Sequence, residues 1–128
     1  MLDANSAFYE AFEGRDLDAM SDVWEHSDRI TCTHPGWSTL RGWGAVSGSF
    51  LVLFRSAAAL QFILTDVVAN VTGDVAWVTL DENLLGDQGG GTVAALNLFA
   101  RAERSGRWRM VVHQGSPVAL AATELSGP

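Results

Sequence analysis

The histidine in the stretch ITCTHPGW, residues 30–37, is the residue whose type and position most clearly suggest chemistry. Residues typical of a β-strand precede His34, and a proline and a glycine follow it, so it ends a strand at a turn. A neutral imidazole has an ordinary pKa of about 6.5 and can accept a proton near neutral pH. His34 is therefore a candidate catalytic base that lines a pocket. The alternative is that it hydrogen-bonds a backbone group and only shapes the turn.

Two polar residues lie inside strands that are otherwise mostly apolar, and they need an explanation. These are Glu82 and Asn97, which we take as candidate ligand-binding residues. If the loop between their strands is centred near residues 88–89, Asn97 pairs with Leu80 and Glu82 points to the same face. A register shifted by one residue would put Asp81 there in place of Glu82.

The last hairpin leaves a similar choice. A two-residue turn at Ser105–Gly106 sets Asn97 opposite Gln114, whereas a three-residue turn with Gly106 in the left-handed conformation sets it opposite His113. Both turns are common, so either side chain is a candidate for the pocket. The residue that faces outward would then contact a second copy of the chain.

Five tryptophans in 128 residues suggest aromatic surfaces as well as core. Trp37 and Trp43 flank the mouth implied by the turn after His34, so they are candidate walls for a flat ligand. For any single tryptophan, core filling is the favoured role. We expect it for Trp24 and Trp108, and we leave Trp77 open between the underside of the sheet and a dimer interface.

Metal and cofactor chemistry have little support in the sequence. The residues His34, His113 and Glu82 could form a two-histidine, one-carboxylate set, but no metal-binding spacing accompanies them. The sequence carries no phosphate loop, nucleotide fingerprint or serine elbow, and Cys32 has no recognisable partner. Without a lysine, a Schiff-base mechanism is excluded. We therefore expect no metal and no cofactor.

The charge and composition narrow the setting. The net charge of −7, with eight arginines, argues against nucleic acid or an anionic membrane as a partner. A single cysteine cannot form an internal disulfide, and the acidic first 20 residues do not resemble a signal peptide. We expect a cytoplasmic protein with a small-molecule ligand.

The apolar spacing predicts three helices followed by strands. One helix contains Phe8 and Phe12, a second is capped by Asp16, and a third runs from about Trp43 to Arg55. A short strand at 29–34 precedes the third helix. Four long strands follow it, and we predict their limits at 58–71, 75–85, 92–103 and 107–120, with a glycine-rich loop at 86–91. Helices that cover one face of an antiparallel sheet make an α+β fold.

Five stretches of the chain together resemble a SnoaL-like domain of the nuclear transport factor 2-like, or ketosteroid isomerase-like, superfamily. They are EAFEGRDLDAMSDVW, ITCTHPGW, LRGWGAV, GDVAWVTLDEN and GRWRMVVHQGSPV. The resemblance implies a cone-shaped, curved antiparallel sheet wrapped around about three N-terminal helices, the cystatin-like roll. It also implies a pocket and a homodimer through the outer face of the sheet. We expect residues 1–120 to form this single domain and residues 121–128 to be a frayed tail.

The resemblance gives His34 a more specific meaning. In ketosteroid isomerases the catalytic base is an aspartate immediately before a proline, and His34 occupies that place here. Those enzymes also use a tyrosine hydroxyl from the first helix, and Phe8 is aligned with it. Tyr9 lies about 100° further around the helix and is predicted to point elsewhere. Steroid isomerisation is therefore not expected. SnoaL-like relatives often carry histidines in the last strand, which favours His113 over Gln114.

Two classes of function follow from these residues. One is a cofactor-independent isomerase, cyclase or lyase that acts on an apolar or aromatic substrate with His34 or His113 as acid–base. The other is a non-catalytic ligand-binding or dimerisation module of the same fold. A matched acid–base pair within an open cavity would favour the enzyme.

Overall fold

The structure is a computed structural model that describes residues 1–56, 59–86 and 89–119. The predicted frayed tail, residues 121–128, lies outside the described residues. The three predicted helices are present: α1 (Leu2–Glu13), α2 (Leu17–Val23) and α3 (Trp43–Arg55). The limits of α3 are those that the sequence predicts. Within the described residues, no helix is long and apolar enough to cross a membrane.

The helices begin and pack as their sequences indicate. The carboxylate of Asp16 accepts a hydrogen bond of 3.0 Å from the backbone N–H of Ala19, which caps the start of α2 as predicted. Phe8 of α1 and Phe50 of α3 are fully buried, and their rings meet edge to face with centroids 6.1 Å apart. The apolar sides of the two helices therefore face a common core.

A six-stranded sheet covers the helices, with the strand order β2-β1-β6-β5-β4-β3. The four long strands pair antiparallel, as predicted. The short β1 runs parallel to β6 and antiparallel to β2, a two-residue strand that the sequence does not predict. The limits of the strands are β1 (Thr31–Thr33), β2 (Leu40–Arg41), β3 (Leu60–Thr72), β4 (Val75–Gly86), β5 (Gly89–Arg101) and β6 (Trp108–Pro117).

Two irregularities in the ladder bend the sheet. One lies in β3 between Thr65 and Val68, where Asp66 has a positive φ of 54°. The other lies between β5 and β6 next to Leu98. A bulge bends its strand and increases the local twist, so the sheet curves around the helices without closing. This arrangement is the α+β cone that the resemblance to SnoaL-like domains implies.

Burial alternates along β4, which defines the inner face of the cone. Its residues Ala76, Val78, Leu80 and Glu82 are buried, whereas the residues between them are more exposed. A strand alternates its side chains between two faces, so the buried set points towards the helices. Glu82 therefore belongs to the core-facing side of the sheet. Trp77 lies on the opposite, outer face.

The glycine-rich stretch predicted as a loop at 86–91 contains residues of two strands. The β4–β5 ladder continues to the pair Gly86 and Gly89, so Gly90 and Gly91 belong to β5 rather than to a loop. A Cβ on Gly90 would lie 2.5 Å from the backbone oxygen of Leu84. The prediction of a loop was wrong for residues 86 and 89–91, because at Gly90 the glycine permits a close approach of two strands rather than a turn. Residues 87 and 88 lie outside the described residues.

The pairing of β5 differs from the prediction by two residues. Asn97 lies opposite Val78 rather than Leu80. Because side chains alternate with a period of two, this difference leaves the faces unchanged. Glu82 and Asn97 share the inner face, as predicted in the first of the two registers, and Asp81 points to the outer face.

His113 lies opposite Asn97 through a bulge and not through the turn alone. The hairpin ladder begins with the pair Arg101 and Trp108. The register then changes between Leu98 and Phe99, which leaves Val111 as the extra residue of β6. Gly106 does have the positive φ, 68°, of the three-residue alternative.

Candidate active site

The inner face of the cone brings together the side chains that the sequence singles out. His34 immediately follows β1, which lies beside β6 with Cys32 opposite His113. The rings of His34 and His113 therefore lie close together, with centroids 6.4 Å apart. Glu82 comes from β4, two strands away from β6. All three ionisable side chains are buried.

These three side chains line one cavity of about 240 Å³. The rest of its wall is apolar or aromatic and consists of Phe12, Pro35, Trp37, Leu53, Leu60, Phe62 and Leu84. Larger clefts of about 470 and 490 Å³ lie against the helices and on the outer face of the sheet, and neither contains a buried ionisable side chain. An apolar cavity with a few convergent polar groups is the usual form of a small-molecule site.

Glu82 is held by a tyrosine from the first helix. The Tyr9 hydroxyl donates a hydrogen bond of 2.6 Å to Glu82 Oε2. It accepts one of 3.0 Å from the Asn97 side-chain N–H. Phe8 also faces the core, and its ring lies 4.7 Å from that of His113. The prediction that Tyr9 points elsewhere was wrong, because the cone surrounds α1 and buries both Phe8 and Tyr9, which are 0% and 3% exposed.

Asn97 connects the carboxyl group to the second histidine. Its side-chain amide donates to Asn5 Oδ1 at 2.9 Å as well as to the Tyr9 hydroxyl, and its Oδ1 accepts from His113 Nδ1 at 2.6 Å. All the hydrogen-bonding atoms of this amide are therefore engaged within the chain. Asn97 is fully buried behind the cavity wall and does not line it. Its position suits a supporting residue better than the predicted direct contact with ligand.

His34 has a partner on the third helix. Its Nε2 lies 2.8 Å from Ser49 Oγ, and Ser49 in turn donates a hydrogen bond of 2.6 Å to the backbone oxygen of Val46. The thiol of Cys32 lies 3.7 Å from the same ring nitrogen. Sequence reasoning missed Ser49 and Asn5. The available signal was a polar residue on the apolar side of each helix, which needs a buried partner.

Burial sets the protonation states of the site. It raises the pKa of Glu82 to about 7, against the smaller lowering effect of the Tyr9 hydrogen bond. It lowers the pKa of His34 to about 4. Burial and the neighbouring His34 together lower the pKa of His113 to about 3. Near neutral pH both imidazoles are therefore neutral, and the Glu82 carboxyl is divided between its protonated and ionised forms.

Two neighbouring groups stay protonated. Burial, followed by the charge of Glu82, raises the pKa of Tyr9 far above its ordinary value, so the phenol remains a hydrogen-bond donor. The same two causes raise the pKa of the Cys32 thiol to about 12. A buried thiol of this kind is a poor nucleophile. Proton transfer by the carboxyl group and the imidazoles is the chemistry that this arrangement supports.

The tryptophans fall into different surroundings. Trp37 lines the cavity at its rim, 40% exposed, with its ring edge-on to His34 at 5.0 Å. Trp43 does not line this cavity. It stacks on the exposed His26 ring at 4.4 Å and borders a separate cleft between α2 and α3, so its predicted place at the mouth was wrong. Trp24 fills core, as predicted, and Trp108 is half-buried against the core beneath the Arg101 guanidinium.

The alternative pocket residues lie outside the cavity, and the possible metal ligands do not form a metal site among the described residues. Asp81 and Gln114 point away from the cavity and border the cleft on the outer face of the sheet. Among the described residues, no group of three or more histidine, cysteine or acidic side chains is arranged to hold a metal ion. The set His34, His113 and Glu82 thus lies around one cavity without forming such a cluster.

Comparison with known proteins agrees with this architecture. The model of the SnoaL-like domain family matches residues 1–120. A crystal structure from Streptomyces avermitilis, named as a proposed dehydratase of the NTF2-like family, is 40% identical, covers 92% of each chain and superposes with a TM-score of 0.82. A crystal structure from Thiobacillus denitrificans, named as a proposed calcium/calmodulin-dependent protein kinase type II association domain, is 34% identical. It covers 90% of this chain and 92% of that chain, with a TM-score of 0.76.

A curated relative matches over part of its length. The F-box protein SKIP8 of Arabidopsis thaliana is 30% identical over 116 residues, which are 91% of this chain and 48% of that protein. The chain thus spans about half the length of this relative. With the fold, the register and the family match all in agreement, the chain belongs to the SnoaL-like domain family of the NTF2-like superfamily.

Proposed function

We propose that this protein is a cofactor-independent acid–base enzyme that eliminates water from, or isomerises, a small apolar or aromatic substrate. The fold is one that commonly binds small molecules. The observation that carries the proposal is the meeting of one buried carboxyl group and two neutral imidazoles in one apolar cavity. The carboxyl titrates near neutrality, so it suits general acid and general base roles at physiological pH.

The proton balance of such an elimination can be met by Glu82 alone. As a carboxylate it removes a proton from a carbon beside a carbonyl group, and it thereby becomes a carboxylic acid. It then returns this proton to the departing hydroxyl group, the C–O bond breaks, a C=C bond forms and water leaves. In an isomerisation the same proton returns to another carbon. His34 and His113 hold the substrate in place by hydrogen bonds.

Two further observations support an elimination. The Streptomyces avermitilis relative carries the name of a proposed dehydratase, and it is 40% identical over nearly the whole chain. The ionisable side chains of the cavity are also buried, and electrostatic interactions are stronger away from bulk water. The sequence suggests His34 as the main base. We assign this role to Glu82 instead, because the lowered pKa of His34 makes its ring a weaker proton acceptor.

The proposal is tested by comparing two neighbouring carboxylates. The wild-type protein is incubated with a panel of small aryl β-hydroxyketones, and loss of water is followed by absorbance. We expect Glu82→Gln to lower turnover by about 10²–10⁴-fold. Asp81→Asn, on the outer face of the same strand, is the matched control and should retain wild-type turnover. Wild-type turnover by the Glu82→Gln variant would contradict the proposal.

The second candidate function is a non-catalytic binding or association module. It is favoured by the Thiobacillus denitrificans relative, which is named as a proposed association domain, and by the modest cavity. Sites for drug-sized ligands measure on the order of 300–1,000 Å³, which is larger than this cavity. Saturable binding of aryl ligands with no turnover by the wild-type protein would select this candidate.

A further inference from the structure

The partners behind the cavity determine which nitrogen of each histidine carries the proton. Ser49 Oγ lies 2.6 Å from the backbone oxygen of Val46, a distance at which the hydroxyl must donate its only proton. Towards His34 Nε2, at 2.8 Å, the same oxygen can then only accept. The neutral His34 ring therefore carries its proton on Nε2. Its Nδ1 bears the lone pair and has only the weak donor Cys32 Sγ nearby, at 3.9 Å.

Asn97 fixes the opposite tautomer at His113. Its amide nitrogen donates both of its protons, one to Asn5 and one to Tyr9, which also assigns the orientation of the amide. The Oδ1 atom that faces His113 can only accept, so the proton lies on His113 Nδ1. His113 Nε2 then bears the lone pair.

The free atoms of the site are accessible from the cavity. Among the described residues, Trp24 Nε1 is the only fully sealed side-chain nitrogen or oxygen that lacks a hydrogen-bond partner. His113 Nε2 and Glu82 Oε1 make no hydrogen bond to any described residue, so neither atom is sealed. Because both side chains line the cavity, their open surface lies there.

We infer that the site selects an uncharged substrate that donates a hydrogen bond, such as an alcohol, a phenol or an N–H compound, and that it rejects carboxylates and phosphates. Ser49 and Asn97 are the positioning residues that impose this selectivity. The His113 lone pair and the Glu82 carboxyl group face the ligand, the His34 ring that bears the Nδ1 lone pair lines the same cavity, and no arginine is among the described side chains that line it. An anion would therefore meet acceptors and no cation. The inference rests on the proposed function, whose substrate class it names.

Nitrogen NMR of ¹⁵N-histidine-labelled protein tests the tautomers directly. We expect the proton on Nε2 of His34 and on Nδ1 of His113. Ser49→Ala should leave His34 as a mixture of both tautomers. Ser47→Ala is the matched control, because Ser47 makes the same kind of bond to a helix carbonyl, that of Gly44, without contacting a histidine. A proton on Nε2 of His113, or no change at His34 in Ser49→Ala, would overturn the assignment.

A matched ligand series tests the selectivity. We expect 4-ethylphenol to quench Trp37 fluorescence and to bind about tenfold or more tightly than 4-ethylanisole, which keeps the shape and loses the donor. The anion 4-ethylbenzoate should bind at least as weakly as the anisole. Ser49→Ala should reduce the preference for the phenol, and Ser47→Ala should leave it unchanged. Equal binding of the phenol and the anisole, or preferred binding of the benzoate, would overturn the inference.

The two proposals fail in distinguishable ways. Preference for the phenol without turnover of any substrate supports the selectivity and defeats the proposed enzyme. Turnover of carboxylate substrates that is lost in Glu82→Gln supports the enzyme and defeats the selectivity.

Discussion

The carboxyl group of Glu82 has a higher pKa in the folded chain than in the unfolded chain. Its folded pKa of about 7 lies above the ordinary value of 4.5, so the folded state binds this proton more tightly. The resulting stabilisation is complete below about pH 4.5 and is lost as the pH rises through 7. By linkage it is on the order of 3 kcal/mol.

Glu82→Gln should separate this effect from that of the histidines. The folded pKa values of His34 and His113, about 4 and 3, lie below 6.5, so their stabilisation is present above pH 6.5 and is lost as the pH falls through these values. Glutamine stays neutral at every pH. Between about pH 4.5 and 8, we expect the free energy of unfolding of the wild type to fall relative to that of Glu82→Gln by on the order of 3 kcal/mol. Urea denaturation across this pH range measures the two free energies of unfolding. A difference between variant and wild type that does not change with pH would contradict the prediction.

His34→Ala should remove function and keep the fold. The substitution deletes one hydrogen bond to Ser49 at the wall of an existing cavity, which costs about 1 kcal/mol. Binding of 4-ethylphenol should fall by about tenfold or more, as measured by fluorescence. His26→Ala, at an exposed histidine that stacks on Trp43, is the control and should bind normally. If the His34→Ala variant is unfolded, the role of His34 is structural, which would contradict this prediction.

At the scale of elements, strand β6 holds the turn that carries His34. A Cβ on Gly115 would lie 3.0 Å from the Val93 side chain and 3.2 Å from the Pro35 ring. Neither neighbour is flexible, so Pro35 and the adjacent His34 would have to move. We expect Gly115→Ala to destabilise the protein by about 1–3 kcal/mol and to weaken binding of 4-ethylphenol. Gly91→Ala is the control, because a Cβ there would meet nothing within 4 Å. It should change neither the stability, measured by thermal unfolding, nor the binding of 4-ethylphenol.

The elements themselves could largely be predicted, since helix and strand periodicities are local properties of the sequence. Helix α3 has its predicted limits, and four long strands occur in the expected order. The hydrogen-bond partners of the site residues could not be predicted in the same way, because they depend on strand pairing, which is not a local property of the sequence. The bulge that puts His113 opposite Asn97 has no distinct signal in its residues.

The error at Tyr9 came from treating α1 as a helix with one buried side. In the cone, the sheet and the other helices surround α1, so residues 100° apart on the helix are both buried. Glu82 was found because a carboxylate within an apolar strand is itself unusual. Its partner Tyr9 was not found, since a tyrosine on an amphipathic helix is ordinary.

At the scale of the whole molecule, we expect a homodimer through the outer face of the sheet. This face presents Ala94, Leu96 and Leu98, with the exposed Ile63 and Val68 of the edge strand beside them. Helices cover only the inner face, so this apolar area needs another partner.

Sedimentation at tens of micromolar should show a dimer for the wild type and a folded monomer for Leu96→Glu, which places a carboxylate in the middle of the outer face. Val52→Glu changes an exposed apolar residue of α3 and should remain dimeric. A monomeric wild-type protein would contradict the expectation.

The proposed acid–base site requires a cavity dry enough to hold the pKa of the Glu82 carboxyl near neutral pH. Carbon NMR of glutamate carboxyl groups over a pH titration measures this directly, with the Glu82 signal identified by its absence in Glu82→Gln. We predict a midpoint near 7 for this signal. A midpoint near the ordinary value of 4.5 would show a solvated carboxylate and would contradict the acid–base site.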